Sequence, residues 1–439
     1  MSKSITTIIC ILSIVHFVSA QKKVSNEWLI SDLTENVFHL SEVMLHDVAS
    51  PPAASRFYAY SLLGAYEVVA ESNNTFPDIS QQFHTKPKFT LPSKPADLYL
   101  PFCANYAMLE VGRNIMPSGF QLEAKQKELI AKYQKKLKLS QTQINSNKTY
   151  AEAVAMQVLA YAKSDGYNKL STYKRYTPNK EEGHWYPTPP EYMAPVEPYW
   201  PTVRSFFIDS SKHYFNPARP ASFSKEPQSS FYTLMKEVYD VTKTMTSEQR
   251  QIAAFWDCNP FAVSYSGHMA IGLKKISPGG HWMGISGIVC KQKQVPVDSA
   301  ILIHTMVALT LHDAFICCWK EKYTSDRIRP ETAINKYIDP AWRPMLQTPP
   351  FPEYTSGHSV VSAASAEILS YFIGDSFRFT DTSEEYFGLP PRNFTSFRHA
   401  SSEAGISRLY GGIHFRDSIE EGQKQGNKIG KFVLSKLVQ

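Results

Sequence analysis

Three short segments in the last third of the chain concentrate cationic, imidazole and hydroxyl groups suited to holding a tetrahedral oxyanion. In the first, Lys322 and Arg329 stand seven residues apart, directly before Pro330. This spacing predicts that both side chains project from one face of a helix that the proline ends. Lysine offers a point charge, and arginine offers a planar fork that matches two oxygens of an anion. Such a pair is more often a solvated helix surface, so the interpretation depends on the other two segments.

The second segment is Pro-Pro-Phe-Pro-Glu-Tyr-Thr-Ser-Gly-His over residues 349–358, and it opens into a predicted helix from residue 359. Ser356, Gly357 and His358 would form an anion cradle at that helix N-terminus. The first helical amides have no intrahelical acceptor, and glycine lets the backbone approach a ligand closely. The alternative is a proline-stiffened helix cap with an incidental histidine. A second Ser-Gly-His at 266–268 lacks the prolines, and we interpret it as structural.

The third segment is Ser-Arg-Leu-Tyr-Gly-Gly-Ile-His-Phe-Arg-Asp over residues 407–417. Arg408 offers another clamp for an oxyanion. Gly411 and Gly412 free the backbone so that His414 can turn back toward Arg408, and Asp417 lies near enough to fix an imidazole tautomer. An isolated histidine here would more often be a buried residue with its hydrogen bonds satisfied.

Together, the three segments resemble the signature of the superfamily of vanadium-dependent haloperoxidases and type 2 phosphatidic acid phosphatases. That signature is Lys-x6-Arg-Pro, then Pro-Ser-Gly-His, then Ser-Arg-x5-His, and here Thr355 replaces the motif proline. The resemblance covers about residues 298–417. It implies that bound vanadate or phosphate is hydrogen-bonded by Lys322, Arg329, Ser356, Gly357 and Arg408.

The same resemblance implies the catalytic roles. His414 would be the ligand to vanadium, or in a phosphatase the nucleophile that forms a phosphohistidine. His358 would be the acid–base group that protonates bound peroxide or the leaving oxygen of a phosphate ester. Asp417 would orient the His414 ring. Vanadate would be the cofactor if the protein is a peroxidase.

Two aromatic residues favour the haloperoxidases over the phosphatases. Trp319 and Phe351 resemble residues that line the vanadate pocket near the halide, although both could simply pack in the core. The sequence therefore predicts a secreted vanadium-dependent haloperoxidase-like enzyme that oxidises halide with hydrogen peroxide. One alternative is a soluble acid phosphatase that uses the same pocket. Another, from a different class, is a non-catalytic oxyanion-binding protein, against which the complete set of cations and histidines argues.

The elements that must position these residues are predicted to be helices, so the expected fold is all-α. Leu29, Leu33, Val37 and Leu40 recur every three or four residues, which predicts one apolar helix stripe over 29–48. Further helices are predicted over 53–70, 105–113, 121–137, 149–164, 231–245, 246–256, 298–320, 359–373, 395–410 and 417–437. No segment alternates with period two, so strands should be minor or absent.

A proline-rich segment with interleaved aromatic residues over 177–227 interrupts the helical pattern. It is too apolar for a free linker, which favours a long ordered connection packed over both halves. We expect two packed helical halves, with an N-terminal helical domain over 21–176 and a C-terminal bundle over 228–439 that carries the site.

Residues 1–20 have the pattern of a secretory signal peptide, with Lys3, an apolar stretch and a small-residue cleavage site before Gln21. This predicts a secreted or periplasmic protein cleaved near Ala20. Five cysteines remain, which is a small and odd number, so a disulfide scaffold is not expected, although one disulfide is possible. No pair of them has the sequence spacing of a zinc site.

The charge and hydropathy exclude two classes of partner. With 46 Lys+Arg against 40 Asp+Glu, the net charge of +6 is small for a chain of 439 residues. No run of consecutive basic residues is longer than two. Nucleic acid is therefore not an expected partner. The apolar stretch over 298–319 is interrupted by His304, His312 and Asp313, so we expect a central bundle helix rather than a transmembrane span. The expected partners are small molecules: peroxide and halide, or a phosphate ester.

Overall fold

The structure, a computed structural model, describes residues 24–70, 76–189, 191–209, 215–266, 269–272 and 274–437. The predicted signal peptide over 1–20 lies outside these residues, as do Gly267 and His268 of the second Ser-Gly-His. Within the described ranges helices dominate, which confirms the all-α prediction.

The helices in chain order are α1 (Asn26–His46), α2 (Pro51–Ala70), α3 (Leu100–Ile115), α4 (Leu122–Leu137), α5 (Gln141–Lys163), α6 (Ser230–Thr244), α7 (Ser247–Phe255), α8 (Pro278–Lys293), α9 (Val297–Ser325), α10 (Pro330–Tyr337), α11 (Gly357–Ile373), α12 (Phe397–Tyr410) and α13 (Arg416–Ser435). Two short antiparallel hairpins pair β1 (Val263–Ser266) with β2 (Met269–Gly272), and β3 (Phe379–Asp381) with β4 (Arg392–Phe394). Strands are thus minor, as expected.

Two of these helices escaped prediction for different reasons. Helix α8 begins after Ser277, whose hydroxyl accepts a hydrogen bond from the Gly280 amide, with Pro278 at its first position. It is buried on most sides, so its sequence lacks the one-sided apolar stripe on which a helix prediction depends. Helix α10 has only eight residues, too few for a periodic pattern to be recognised.

The prediction that Lys322 and Arg329 share one helix face is wrong. Helix α9 ends at Ser325, and Asp326 takes a left-handed conformation with φ 47°. Arg329 is then extended, and Pro330 begins α10 instead of ending α9. Lys322 is therefore in the last turn of α9, whereas Arg329 lies in the connection that precedes α10.

The hydrophobic core is continuous across the connection, since one cluster of buried side chains extends from Ile30 in α1 to Val433 in α13. Helix α9 is buried throughout from Ala300 to Trp319 and packs against both α2 and α11. It is long and apolar enough to cross a membrane by length and composition, but its most apolar stretch is entirely buried in the protein.

The connection over 177–227 is fastened to both the core and the site. The Asp313 carboxylate in α9 accepts hydrogen bonds from the backbone amides of Phe206, Phe207 and Ile208 at 2.7, 2.8 and 3.2 Å. Burial raises the pKa of Asp313 to about 7. Val196 in the same connection donates its amide to the Pro350 carbonyl at 3.0 Å, next to the second motif segment. The connection therefore holds that segment against the bundle.

Candidate active site

His414 follows α12 on a loop whose shape depends on Gly412. That glycine has φ +77°, and a Cβ there would lie 3.1 Å from the backbone of Pro344. The loop brings His414 Nδ1 to 2.7 Å from Glu353 Oε1, which also accepts the Phe415 amide at 3.0 Å. A carboxylate oxygen can only accept, so the proton is on Nδ1 and the lone pair is on Nε2. His414 Nε2 lies 3.2 Å from the Arg329 guanidinium.

The residue that fixes the His414 tautomer is therefore Glu353, and the prediction that Asp417 does so is corrected. Helix α13 begins at Arg416, so Asp417 lies in its first turn, where its carboxylate binds Arg327 at 2.6 and 2.8 Å and the Ala221 amide at 3.2 Å. Arg327 Nε in turn donates to Glu353 Oε2 at 2.7 Å. Asp417 thus reaches His414 only through Arg327 and Glu353.

Glu353 was overlooked although it lies inside the second motif segment. The only sequence signal was a carboxylate among prolines and aromatics, directly before the helix that carries His358. Glu353 is completely buried, and Arg327 nearly so. A buried carboxylate that accepts from both an arginine and a histidine fits the role of an orienting partner for the ring.

Arg329 joins the second and third motif segments. Its Nε donates to the Phe351 carbonyl and its NH1 to the Ile413 carbonyl, both at 2.9 Å. Burial lowers the pKa of Arg329 to about 10. The pKa of His414 is also held well below its usual range, mainly by burial and to a smaller extent by the charges of Arg329 and Lys322. The ring therefore stays neutral, and its unprotonated Nε2 accepts a hydrogen bond from Arg329 NH1.

Lys322 is completely buried beneath the second segment. Its ammonium donates to the carbonyls of Pro352, Glu353 and Thr355 at 3.1, 3.2 and 2.6 Å. Burial lowers the pKa of Lys322 to about 7, and a bound anion would favour its charged form. Lys322 therefore both shapes the loop and contributes positive charge near His414.

The N-terminus of α11 provides two amides and an imidazole. Ser356 caps the helix: its hydroxyl accepts the Ser359 amide at 3.3 Å, and its carbonyl accepts the Val360 amide at 3.1 Å. The amides of Gly357 and His358 precede these and have no intrahelical acceptor. They are thus placed to bind an anion.

The His358 ring hydrogen-bonds the Trp256 backbone, while its Nε2 is buried with no hydrogen-bond partner among the described residues. Burial, together with the charges of Arg408 and His414, holds its pKa well below the usual range. A buried polar nitrogen without a partner is costly unless a ligand or water completes it. This nitrogen therefore indicates a ligand position.

Arg408, in the last turn of α12, is fixed from two sides. Its Nε donates to Ser407 Oγ at 2.9 Å, and its NH2 donates to the Trp256 carbonyl at 2.5 Å. Burial lowers its pKa. Both Arg408 and His358 thus hydrogen-bond the backbone of Trp256, which sets their relative positions.

One cleft of about 530 Å³, including the solvent at its mouth, brings most of the predicted site residues together. Its wall includes Trp319, Phe351, Gly357, His358, Arg408 and His414. The Trp319 and Phe351 ring centroids are 4.9 Å apart. Lys322 Nζ and Arg329 Cζ each lie 5.0 Å from the Phe351 ring centroid, so both cations contact this ring. Arg408, two imidazoles and the start of α11 thus line a pocket with an aromatic side, and Lys322 and Arg329 contact its Phe351 wall.

Replacing Arg408 with lysine should weaken oxyanion binding by at least about tenfold although the charge is kept. A lysine cannot donate to Ser407, the Trp256 carbonyl and an anion with the geometry of a planar fork. Equilibrium dialysis with orthovanadate measures the affinity. The matched control is Arg416→Lys, because Arg416 pairs with Glu237 outside the cleft. Wild-type affinity in the Arg408 variant would contradict the clamp.

Comparison with known proteins finds a matching family model and similar solved structures. The family model described as the VCPO second helical-bundle domain matches residues 302–439. A bacterial vanadium-dependent iodoperoxidase is 39% identical, with a TM-score of 0.86 over 93% of this chain and 96% of its own. No curated protein matches the sequence.

Two further structures, of apo- and holo-type bacterial vanadium-dependent chloroperoxidase, are 14% identical, with TM-scores of 0.64 and 0.60. They cover 89% and 96% of this chain, each over 94% of its own length, and show the shared fold. The shared fold and the 39% identity to the iodoperoxidase thus place the chain in the class of peroxide-dependent haloperoxidases. The chain belongs to the vanadium-dependent haloperoxidase family.

Proposed function

We propose that this protein is a secreted vanadium-dependent haloperoxidase that uses hydrogen peroxide to oxidise halide, with iodide as its first substrate. The observation that carries the proposal is the His414 ring, whose Nε2 is kept unprotonated by the hydrogen bond from Nδ1 to Glu353 at 2.7 Å. Arginine and lysine charges surround this nitrogen. A neutral imidazole among cations is suited to bind an electrophilic centre that carries anionic oxygens.

The residues present fit vanadate. His414 Nε2 would be the ligand to vanadium, and the free amides at the start of α11 would hydrogen-bond its oxygens. The negative charge of the oxyanion would be balanced by Lys322, Arg329 and Arg408. The buried His358 Nε2, which lacks a described protein partner, would gain one. When bound, vanadate supplies a Lewis-acidic centre that activates peroxide without a change in oxidation state.

The protein groups then have separate tasks. His358 is held neutral, so its Nε2 can accept a proton from incoming peroxide and return it to the departing oxygen. The buried arginines stabilise negative charge in a site with little water, where each such interaction is stronger than in solution. The Glu353 carboxylate keeps the proton on His414 Nδ1 throughout.

Iodide is proposed because the similar protein at 39% identity is described as an iodoperoxidase. The aromatic side of the cleft, formed by Trp319 and Phe351, agrees with a large and weakly hydrated anion. Stripping water from such an ion costs less than stripping it from a smaller halide, because ion desolvation falls as ionic size rises.

The deciding experiment is reconstitution of the purified protein with orthovanadate. We expect iodide oxidation, followed as triiodide absorbance, only when vanadate and peroxide are both present, with bromide turnover measured in parallel. Hydrolysis of p-nitrophenyl phosphate with inhibition by vanadate would instead establish the acid phosphatase. Vanadate binding without either turnover would leave the non-catalytic oxyanion-binding protein.

Replacing His358 with alanine should lower the peroxidase rate by about a hundredfold or more while vanadate still binds. The ring contributes a proton-transferring nitrogen, and the α11 amides that face the anion are kept. Steady-state kinetics beside a vanadium analysis of the same sample separates the two effects. An unchanged rate would remove His358 from the proton pathway.

Secretion is part of the proposal and rests on residues 1–20, whose charged start, apolar stretch and Val-Ser-Ala ending match a cleaved leader. Mass spectrometry of protein recovered from the medium or periplasm of an expressing host should give a mature N-terminus at Gln21. Full-length chain retained in the cytoplasm would contradict it.

A further inference from the structure

A second cluster of potential ligand atoms lies beside the oxyanion site, and one of its members, Cys258, is part of the wall of the same cleft. It consists of Cys258, which follows α7, His281 in α8 and Glu384, which follows β3. Cys258 Sγ is 3.3 Å from His281 Nδ1, and Glu384 Oε1 is 3.2 Å from the same nitrogen. All three side chains are buried, and their ligand atoms lie within 4.8 Å of one another. Three elements distant in sequence thus converge on one point.

A fourth residue orients the histidine toward that point. Asp381 Oδ2 lies 2.8 Å from His281 Nε2, and the carboxylate accepts the proton of that nitrogen. The ring is therefore fixed with Nδ1 directed at Cys258 and Glu384. A carboxylate behind a histidine in this way is the usual partner of a metal-binding imidazole, because it fixes the tautomer and raises ligand basicity.

Hydrogen bonding alone does not satisfy the cluster. His281 Nδ1 can donate one proton at most, and Cys258 and Glu384 both compete for it. Both carboxylate oxygens of Glu384 are buried without a hydrogen-bond partner among the described residues. The side chain is only 1% exposed, so bulk solvent does not reach it. Its close polar neighbour in the described part of the chain is His281 Nδ1 at 3.2 Å, which also faces Cys258, so a bound cation would stabilise this buried carboxylate strongly.

We propose that Cys258, His281 and Glu384 form a zinc site. Tetrahedral zinc with ligands at about 2.0–2.3 Å separates neighbouring ligand atoms by about 3.3–3.6 Å, close to the two distances observed here. The thiolate, Nδ1 and one Glu384 oxygen would supply three donors, and the fourth tetrahedral position would take a water or hydroxide. A sulfur, nitrogen and carboxylate set suits zinc better than calcium or magnesium, which prefer oxygen ligands.

The zinc would stabilise the structure that surrounds the oxyanion site. The His281 ring stacks on Trp256, with ring centroids 4.4 Å apart and an interplanar angle of 18°. The Trp256 backbone in turn accepts from Arg408 and hydrogen-bonds His358. The ion would thus join α8 and the β3–β4 hairpin to the segment that positions both residues. The site does not depend on the haloperoxidase function.

The test is metal analysis of the purified full-length protein after incubation with zinc chloride and gel filtration. We expect about one zinc per chain in the wild type. In titrations with a competing chelator, Cys258→Ser and Glu384→Gln should weaken zinc binding by at least about tenfold. The matched control, Cys290→Ser, should bind like the wild type, because Cys290 is equally buried but belongs to no such group.

A second measurement keeps the proposal testable if either variant fails to fold. Cobalt(II) bound to the wild-type protein should give thiolate-to-cobalt charge-transfer absorption that excess zinc removes. Circular dichroism of each variant reports folding. Less than about a tenth of an equivalent of zinc in the wild type, or no charge-transfer band with cobalt, would overturn the proposal. So would folded ligand variants that bind zinc like the wild type.

Discussion

Replacing His414 with alanine should abolish vanadate retention while the fold persists. In the described part of the cleft, the His414 imidazole is the ring whose Nδ1 is held by a carboxylate, at 2.7 Å from Glu353, so that its Nε2 is unprotonated. Its loss should weaken vanadate binding by more than about a hundredfold, beyond the effect expected for an outer partner of a ligand. Vanadium analysis after gel filtration measures retention.

The fold should survive because Glu353 keeps its other partners. Arg327 and the Phe415 amide still donate to its carboxylate, so the variant leaves no unpaired buried charge. A matched control is His304→Ala, which removes another completely buried histidine, from the middle of α9. That control should retain vanadate. If the His414 variant also retained it with wild-type activity, His414 would not be the ligand.

Replacing Glu353 with glutamine should weaken vanadate binding by about 10–100-fold, as expected for the orienting partner of a metal ligand. The carboxylate accepts from His414 and Phe415 through Oε1 and from Arg327 through Oε2. A glutamine has one acceptor oxygen, so its amide must face either the His414 proton or the Arg327 guanidinium. Either arrangement disturbs the ring or leaves a buried charge unpaired.

The informative comparison is Asp417→Asn, because Asp417 touches Arg327 and lies outside hydrogen-bond contact with His414. We expect a change in vanadate affinity of less than about threefold, close to the small effect usual for a partly exposed ion pair. Equilibrium dialysis of both variants, with urea unfolding to follow stability, gives the ranking. A larger loss from the Asp417 change would return the orienting role to that residue.

Which of these two carboxylates orients His414 could not be predicted from the sequence. Asp417 is three residues from His414, and Glu353 is 61 residues away. Proximity in sequence favoured the aspartate, but α13 begins at Arg416 and places Asp417 beside Arg327. The residue types of the motif were sufficient to find the cations and histidines. They did not reveal which acid faces the ring, because that depends on tertiary packing.

The helices that could be predicted are those with local sequence signals, whereas the missed helix α8 depends on tertiary packing. Amphipathic helices such as α6 and α7 have capping serine or threonine and a one-sided apolar stripe, so their ends were predicted to within one residue. Helix α8 is buried on most sides and has no such stripe. The turn at Asp326 was also missed, because a left-handed aspartate at a helix end has no strong sequence signal.

The burial of α9 in the core has a consequence for how the protein unfolds. Its buried faces pack against α2, from before the connection, and against α11, from after it. Neither half can therefore separate without exposing the apolar surface of the same helix. We expect heat to melt the chain in one cooperative step, with equal calorimetric and van't Hoff enthalpies, so that loss of peroxidase activity and loss of helicity coincide.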